Sequence, residues 1–130
     1  MPSPFSTYTE SARAVLTRVD PGRLYAGRPV GLRDGAILAL LAGGLTIKEV
    51  ANLRARAITM QGGRVNIVLE RDGAFYAVLT PDLGGRVLAW LSERRLWGTP
   101  EPVFTGPQGP LTVQGIHHVL NRYRPGRTRR

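Results

Sequence analysis

Residues 31–53, GLRDGAILALLAGGLTIKEVANL, place two helices of different character on either side of a glycine pair. The first helix, over residues 32–42, is apolar on nearly every side, which predicts a central helix buried by the rest of the fold. The glycines at 43–44 end it, since glycine readily takes the left-handed conformation found at helix C-termini. Thr46 and Glu49 then have the spacing of a capping box, which predicts that the next helix begins directly after Thr46.

The chain divides into one domain with a short extension at each end. We expect residues 1–6, which contain two prolines, to form a flexible arm, residues 7–124 to form the domain, and residues 125–130 to form a basic tail. Thr7 and Glu10 again have capping-box spacing, which predicts a first helix that begins after Thr7. Its apolar stripe consists of Ala12, Val15, Leu16 and Val19.

A change from helical to alternating character follows the third predicted helix. We predict strands over residues 57–60, 64–70 and 74–79, because these stretches are bounded by turn residues and rich in β-forming side chains. Gln61-Gly62-Gly63 is predicted to turn the chain between the first two strands. Asp72-Gly73 is a strong hairpin signal between the second and third strands. Together these segments predict a three-stranded antiparallel sheet.

Two further helices complete the predicted fold. Thr80 is a helix cap followed by Pro81 at the first helical position, and this helix is predicted to end near Arg95. A loop rich in proline and glycine covers residues 98–110, and a last helix begins at Thr112. The sequence therefore predicts an α+β fold, mainly helical, with a small three-stranded antiparallel sheet.

The charge balance favours a polyanionic partner. With 18 Lys and Arg residues against 9 Asp and Glu, the formal net charge is +9 and the sequence pI is near 11.4. A basic balance of this size is typical of proteins that bind nucleic acid. Two observations support a plainer interpretation as a solvated basic surface. Lys48 is the only lysine, so the basic residues are almost all arginine, and such a bias also arises in GC-rich genomes. In addition, five of the arginines lie near the C-terminus, at residues 122–130, so part of the excess charge belongs to that end of the chain.

Composition also argues against several kinds of protein. The absence of cysteine excludes disulfides and thiolate chemistry. No apolar run reaches the roughly 18 residues of a membrane helix, and the N-terminus lacks the pattern of a secretory signal. His117 and His118 are the only histidines, and neighbours on a helix point in different directions, so we expect neither a metal nor another cofactor. The sequence predicts a cytoplasmic protein with no membrane partner, associated with the nucleoid if it binds DNA.

The order of short motifs resembles the N-terminal part of the catalytic domain of tyrosine recombinases (phage integrases). The matching segments are R-D at 33–34, G-L at 44–45, TPDL at 80–83, V-F at 103–104 and GPLTVQGIHHVLNRY at 109–123. In the family their counterparts read R-D, T-G-L-R-I-S-E-L, L-P-x-E-L, L-F and G-x-P-L-S-x-x-x-V-x-x-x-L-x-x-Y. The resemblance covers residues 9–123 and implies a fold like a truncated recombinase catalytic domain.

The same resemblance implies that the catalytic residues are missing. The family's first catalytic arginine falls on Thr46, and the hairpin at residues 70–75 contains no lysine to protonate the leaving oxygen. Arg71 is the nearest cation there, and a guanidinium is a poor proton donor near neutral pH. The family's H-x-x-R box, which should follow the last helix, has no counterpart in this sequence. The nucleophilic tyrosine has none either, because Tyr123 lies too early to be that nucleophile. We therefore expect a DNA-binding protein that is not an enzyme.

The predicted DNA contacts combine this resemblance with the distribution of cations. In the family, the face that carries the first arginine, the hairpin and the start of the last helix meets duplex DNA, which favours Lys48, Arg71, Gln114 and His117. The full predicted set is Thr46, Lys48, Arg54, Arg56, Arg64, Arg71, Gln114, His117, Arg122 and Arg124. For each arginine alone, a solvated surface position is the alternative.

Two other functions remain open at this point. The domain can be a protein-interaction module that pairs with a full-length recombinase, another partner or a second copy of itself. It can also be a helix-turn-helix regulator, because GLTIKEVANL at residues 44–53 resembles the common pattern G-L-T-x-x-E-V-A-x-L. The regulator needs a recognition helix after the turn at residues 54–59, and the predicted strand at 64–70 leaves no length for one.

Overall fold

The computed structural model describes residues 4–18, 24–25, 28–29, 31–70, 74–106 and 109–123. Within these ranges the protein has an α+β fold that is mostly helical, which confirms the predicted fold class. The five α-helices of the described residues are α1 (Pro4–Arg18), α2 (Leu32–Ala42), α3 (Ile47–Ala51), α4 (Pro81–Arg94) and α5 (Val113–Arg122). Among them, none has both the length and the apolar character required to cross a bilayer.

The strands of the described residues form three antiparallel groups. The main sheet has the order β3-β4-β5, and each of the other two groups pairs strands of two residues. The strands are β1 (Leu24–Tyr25), β2 (Arg28–Pro29), β3 (Ile58–Gln61), β4 (Arg64–Glu70), β5 (Ala74–Val78), β6 (Thr105–Gly106) and β7 (Gly109–Pro110). A 3-10 turn, Ala55–Ala57, connects α3 to β3.

Helix α2 is the centre of the fold, as its apolar sequence predicts. Every residue from Asp34 to Ala42 is buried, and α1 and α4 pack against the helix. Gly43 caps its C-terminus, and Gly44 follows with a φ of +110°, a conformation that favours glycine. A Cβ on Gly43 would overlap the side chain of Leu79, so the helix end approaches the β5–α4 junction too closely for any other residue without rearrangement.

Helix α1 differs from the prediction at its start. It begins at Pro4, so the capping box predicted at Thr7 and Glu10 is wrong, and residues 4–6 lie in the helix and not in an arm. Proline suits the first turn of a helix because its φ is already helical and the first amides need no partner within the helix. The predicted stripe is confirmed at Ala12, Val15 and Leu16, which are buried. Val19 and residues 1–3 lie outside the described residues.

The main sheet confirms the predicted hairpins with small shifts in two strands. Strand β4 has the predicted bounds, whereas β3 is shifted by one residue and β5 ends one residue early. Gly62 and Gly63 have φ values of +60° and +79°, as a two-residue hairpin with a right-handed twist requires. Glu70 pairs with Ala74, so β4 and β5 are consecutive strands; residues 71–73, which include the Asp72-Gly73 hairpin signal, lie outside the described residues.

Helix α4 covers the inner face of this sheet and fixes the loop that follows. Thr80 accepts a hydrogen bond from the Leu83 amide at 3.3 Å, which confirms it as the cap. The indole Nε1 of Trp90 donates to the Val103 carbonyl at 2.7 Å, and its ring stacks on Phe104 with 6.1 Å between centroids. The loop after α4 is thereby attached to the helix at two points.

Candidate nucleic-acid interface

Thr46 caps the start of α3. Its Oγ1 accepts a hydrogen bond from the Glu49 amide at 3.1 Å, and Glu49 Oε1 accepts one from the Thr46 amide at 2.8 Å. Both halves of the predicted capping box are therefore present. The Glu49 carboxylate is directed to the helix start, while Lys48, one residue earlier, is exposed to solvent.

Arg54 and Arg56 lie on a segment whose backbone is hydrogen-bonded to the loop after α4. The Leu53 carbonyl accepts a hydrogen bond from the Val103 amide at 3.0 Å, and the Ala55 amide donates to the Glu101 carbonyl at 2.9 Å. Leu53 and Ala55 are buried, so the alternate residues Arg54 and Arg56 are turned to solvent. The backbone positions of these arginines are thus fixed by the buried residues on either side and by the hydrogen bonds of those residues.

These segments border a groove of about 760 Å³ between α3, the 3-10 turn and the end of β4, which we call the α3–β4 groove. It is lined by Thr46, Lys48, Glu49, Asn52, Leu53, Arg54, Arg56, Ala57, Val68 and Leu69. Three cationic side chains face one carboxylate, and that carboxylate is already hydrogen-bonded to the helix start. The groove therefore combines a positive rim with an apolar floor.

Four of the predicted contacts, Thr46, Lys48, Arg54 and Arg56, meet in this groove. Of the other predicted contacts, the four that the structure describes, Arg64, Gln114, His117 and Arg122, do not line it. Arg64 is exposed at the opposite end of β4, four residues before Val68, which corresponds to about 13 Å along a strand. Gln114 and His117 lie on α5, which packs against α3; the first is exposed and the second half-buried. Arg71 and Arg124 lie outside the described residues.

Arg122 has a structural partner that sequence reasoning missed. Its Nη1 donates to Asp34 Oδ2 at 2.7 Å, and the Tyr123 hydroxyl donates to the same oxygen at 2.7 Å. Asp34 is buried on the first turn of α2, and a buried carboxylate needs such donors. The acidic residue near the start of a buried helix indicated that its carboxylate needs a partner, but not which residue that partner is. The Arg122 side chain is still 52% exposed, so its contact with DNA stays a prediction.

The environment of Tyr123 changes its acidity. Burial, the hydrogen bond to Asp34 and the negative charge of Asp34 together raise the pKa of Tyr123 from 10.0 to about 12, although Arg122 opposes the shift. The phenol therefore stays protonated at neutral pH and keeps donating to Asp34. This side chain ties the end of α5 to the start of α2.

The described residues contain no group of three or more histidine, aspartate or glutamate side chains placed to hold a metal ion. After α3 the chain enters the 3-10 turn and β3 directly, so the recognition helix of a helix-turn-helix does not follow it. No protein-family model matches the chain, and no curated protein matches it significantly. The resemblance to tyrosine recombinases therefore depends on the order of the sequence motifs and of the elements that carry them.

Proposed function

We propose that the protein is a non-catalytic DNA-binding protein whose fold is related to the N-terminal part of a tyrosine recombinase catalytic domain. The α3–β4 groove carries this proposal, because it gathers Lys48, Arg54 and Arg56 on one surface of a protein whose net charge is +9. Cations on such a surface neutralise DNA phosphates and release the counterions condensed on them. The fixed backbone at Arg54 and Arg56 lowers the entropy lost when these side chains bind.

Thr46 supports the absence of strand-transfer chemistry in this proposal. A threonine carries no positive charge to stabilise a phosphoryl transition state, and one such group typically contributes about 3–4 kcal/mol. Its Oγ1 already accepts the Glu49 amide at the helix start. In this proposal the position has a structural role, and the surrounding surface retains affinity for DNA.

Fluorescence anisotropy with a short labelled duplex tests the proposal. Near 50 mM salt we expect a Kd on the order of micromolar, and three phosphate contacts give a slope of log K against log salt of roughly −3. Absence of binding at that salt concentration would contradict the proposal. Binding that does not change with salt would assign the affinity to something other than phosphates.

A matched pair of variants tests the location. Arg56 and Arg64 are both exposed arginines, but only Arg56 lines the groove. We expect Arg56→Gln to weaken duplex binding and to reduce the salt slope by about 1, because one phosphate contact is lost. Arg64→Gln should have the smaller effect, measured in the same titrations. Equal effects would mean that the whole basic surface binds DNA without a preferred groove.

A protein-interaction module is the second candidate function, and the outer face of the main sheet favours it. Val68 and Val78 lie on this face of neighbouring strands and are exposed. Such side chains can form the centre of a contact with a recombinase or a second copy. Sedimentation over a range of concentrations tests this for self-association: a dimer that Val78→Glu abolishes supports it, and a monomer throughout opposes it.

A further inference from the structure

Trp97 occupies a fixed turn beyond the end of α4. The Leu96 amide donates to the Leu91 carbonyl at 2.9 Å, and both the amide and the hydroxyl of Thr99 donate to the Leu96 carbonyl, at 3.0 and 2.8 Å. Trp97 is nevertheless 40% exposed, in contrast to Trp90, whose indole is hydrogen-bonded and stacked against the core. An aromatic side chain is thus presented to solvent by a backbone that is already ordered.

This turn is attached to the α3–β4 groove. Arg54 Nη1 donates to the Pro100 carbonyl at 3.4 Å, and Arg54 forms an isolated antiparallel bridge with Pro102. Pro100 is three residues after Trp97, so their Cα atoms lie within about 11 Å of each other. With the hydrogen bond from Arg54 to Pro100 included, the Arg54 guanidinium lies within about 17 Å of the Trp97 Cα atom, which corresponds to about five nucleotides along one strand of a duplex. A strand that contacts the groove cations can therefore reach Trp97.

The chemistry of the turn differs from that of the groove. Glu93, Arg94, Arg95 and Glu101 surround Trp97 in sequence with balanced charge, so the turn adds no net attraction for phosphates. What it adds is an aromatic face, and base stacking on aromatic side chains is favourable for every base. In a continuous duplex the base faces are covered by their neighbours, so a stacking partner must come from an unpaired base.

From this arrangement we propose that the groove binds DNA containing unpaired bases: Lys48, Arg54 and Arg56 hold the phosphates, and Trp97 stacks on an unpaired base next to them. The inference rests on the proposed DNA-binding function and adds the class of DNA. Its ligands are single strands and duplexes interrupted by a bulge or gap. The uninterrupted duplex makes the phosphate contacts alone.

Three labelled oligonucleotides test the inference: a duplex, the same duplex with a central bulge of thymidines, and one of its strands. We expect the wild-type protein to bind the bulged duplex or the single strand about ten-fold more tightly than the uninterrupted duplex. Trp97→Ala should remove this preference and leave the salt slope unchanged. Arg56→Gln should instead weaken binding to all three and lower the slope by about 1. Leu32→Ala, another exposed apolar position, serves as the control and should change neither property.

Tryptophan fluorescence gives an independent measurement. Stacking should quench the emission of Trp97 on bulged DNA, and Trp97→Phe, which retains Trp90, should lose the quenching while keeping part of the preference. Equal affinity of the wild-type protein for all three oligonucleotides, or a preference unchanged by Trp97→Ala, would overturn the inference and leave DNA binding in place. Binding to none of them would overturn both proposals.

Discussion

Asp34 lies on the buried helix α2, and three donors surround its carboxylate. Arg122 and Tyr123 each lie 2.7 Å from Oδ2, and Arg33 lies 3.4 Å from Oδ1. A carboxylate removed from water is tolerated only when it is paired and hydrogen-bonded in this way. The hydrogen bonds and the ion pair therefore offset the free energy that it costs to remove the carboxylate from water. Their contribution to stability can be measured when one member of the cluster is replaced.

Replacement of Asp34 by alanine is expected to lower the free energy of unfolding by about 2 kcal/mol, because it leaves the buried Tyr123 hydroxyl without its acceptor. The half-exposed Arg122 guanidinium regains water, which limits the loss. Urea denaturation measures the change. Asp82→Ala is the control, since that side chain is 71% exposed and its ion pair with Arg86 spans 3.9 Å; we expect less than about 1 kcal/mol there. Equal losses would mean that the cluster has no special role.

Alkaline pH should weaken the same cluster. Because burial and Asp34 raise the pKa of Tyr123 from 10.0 to about 12, its contribution to stability is complete below pH 10 and is lost as the pH rises towards 12. Denaturation of the wild-type protein and of Tyr123→Phe across this range measures the effect. The stability difference between them should shrink as the pH rises, and a constant difference would contradict the shifted pKa. Tyrosinate absorbance should also show one late-titrating group that the variant lacks.

At the scale of elements, local signals decided which boundaries were predictable. Thr46 and Glu49 cap α3 as predicted, because a capping box is complete within four residues of sequence. The same pattern at Thr7 and Glu10 failed, since Pro4 starts the helix earlier. The Arg122–Asp34 contact could not be predicted, because it joins side chains 88 positions apart and no local pattern records such a pairing.

Two glycines should respond in opposite directions to alanine. At Gly43 the new methyl group overlaps buried Leu79, and overpacking of this kind costs about 1–3 kcal/mol. At Gly85, inside α4, no atom other than those of the helix's own nearby backbone and the adjacent residues lies within 4 Å of the new Cβ. The gain in helix propensity should therefore stabilise the protein by up to about 1 kcal/mol. Thermal unfolding of both variants checks the signs. In a Leu79→Ala background, which removes the overlapping side chain, the loss caused by Gly43→Ala should be smaller than in the wild-type protein.

The described part of the molecule has a buried centre, and the groove proposed to bind DNA lies at its edge. Helix α2 is buried along almost its entire length, whereas α3, the wall of the groove, has only five residues. The burial of α2 was predicted from its apolar sequence. Resemblance and charge predicted ten DNA contacts, of which four line the groove, and their contact with DNA stays a prediction. The sequence did not predict that the turn carrying Trp97 lies beside the groove, because that proximity depends on hydrogen bonds between residues 54–55 and 100–101.

Native-state hydrogen exchange should reproduce this division. Amides of residues 37–42 are expected to exchange only through global unfolding, with protection equal to the full stability of the protein. Amides of α3 should exchange through smaller openings, and DNA should slow them. If the groove amides are as protected as those of α2, the edge is as rigid as the centre and this division is wrong.

The contact between Asp34 and Arg122 also has a consequence for the order in which the protein folds. It closes a loop of 88 residues, and the entropy of closing a long loop must be overcome before such a contact becomes favourable. We therefore expect α5 to dock after the transition state. Stopped-flow kinetics of Asp34→Ala should show faster unfolding and an unchanged folding rate. The lifetime of the native state, more than the speed of reaching it, would then depend on a single buried carboxylate.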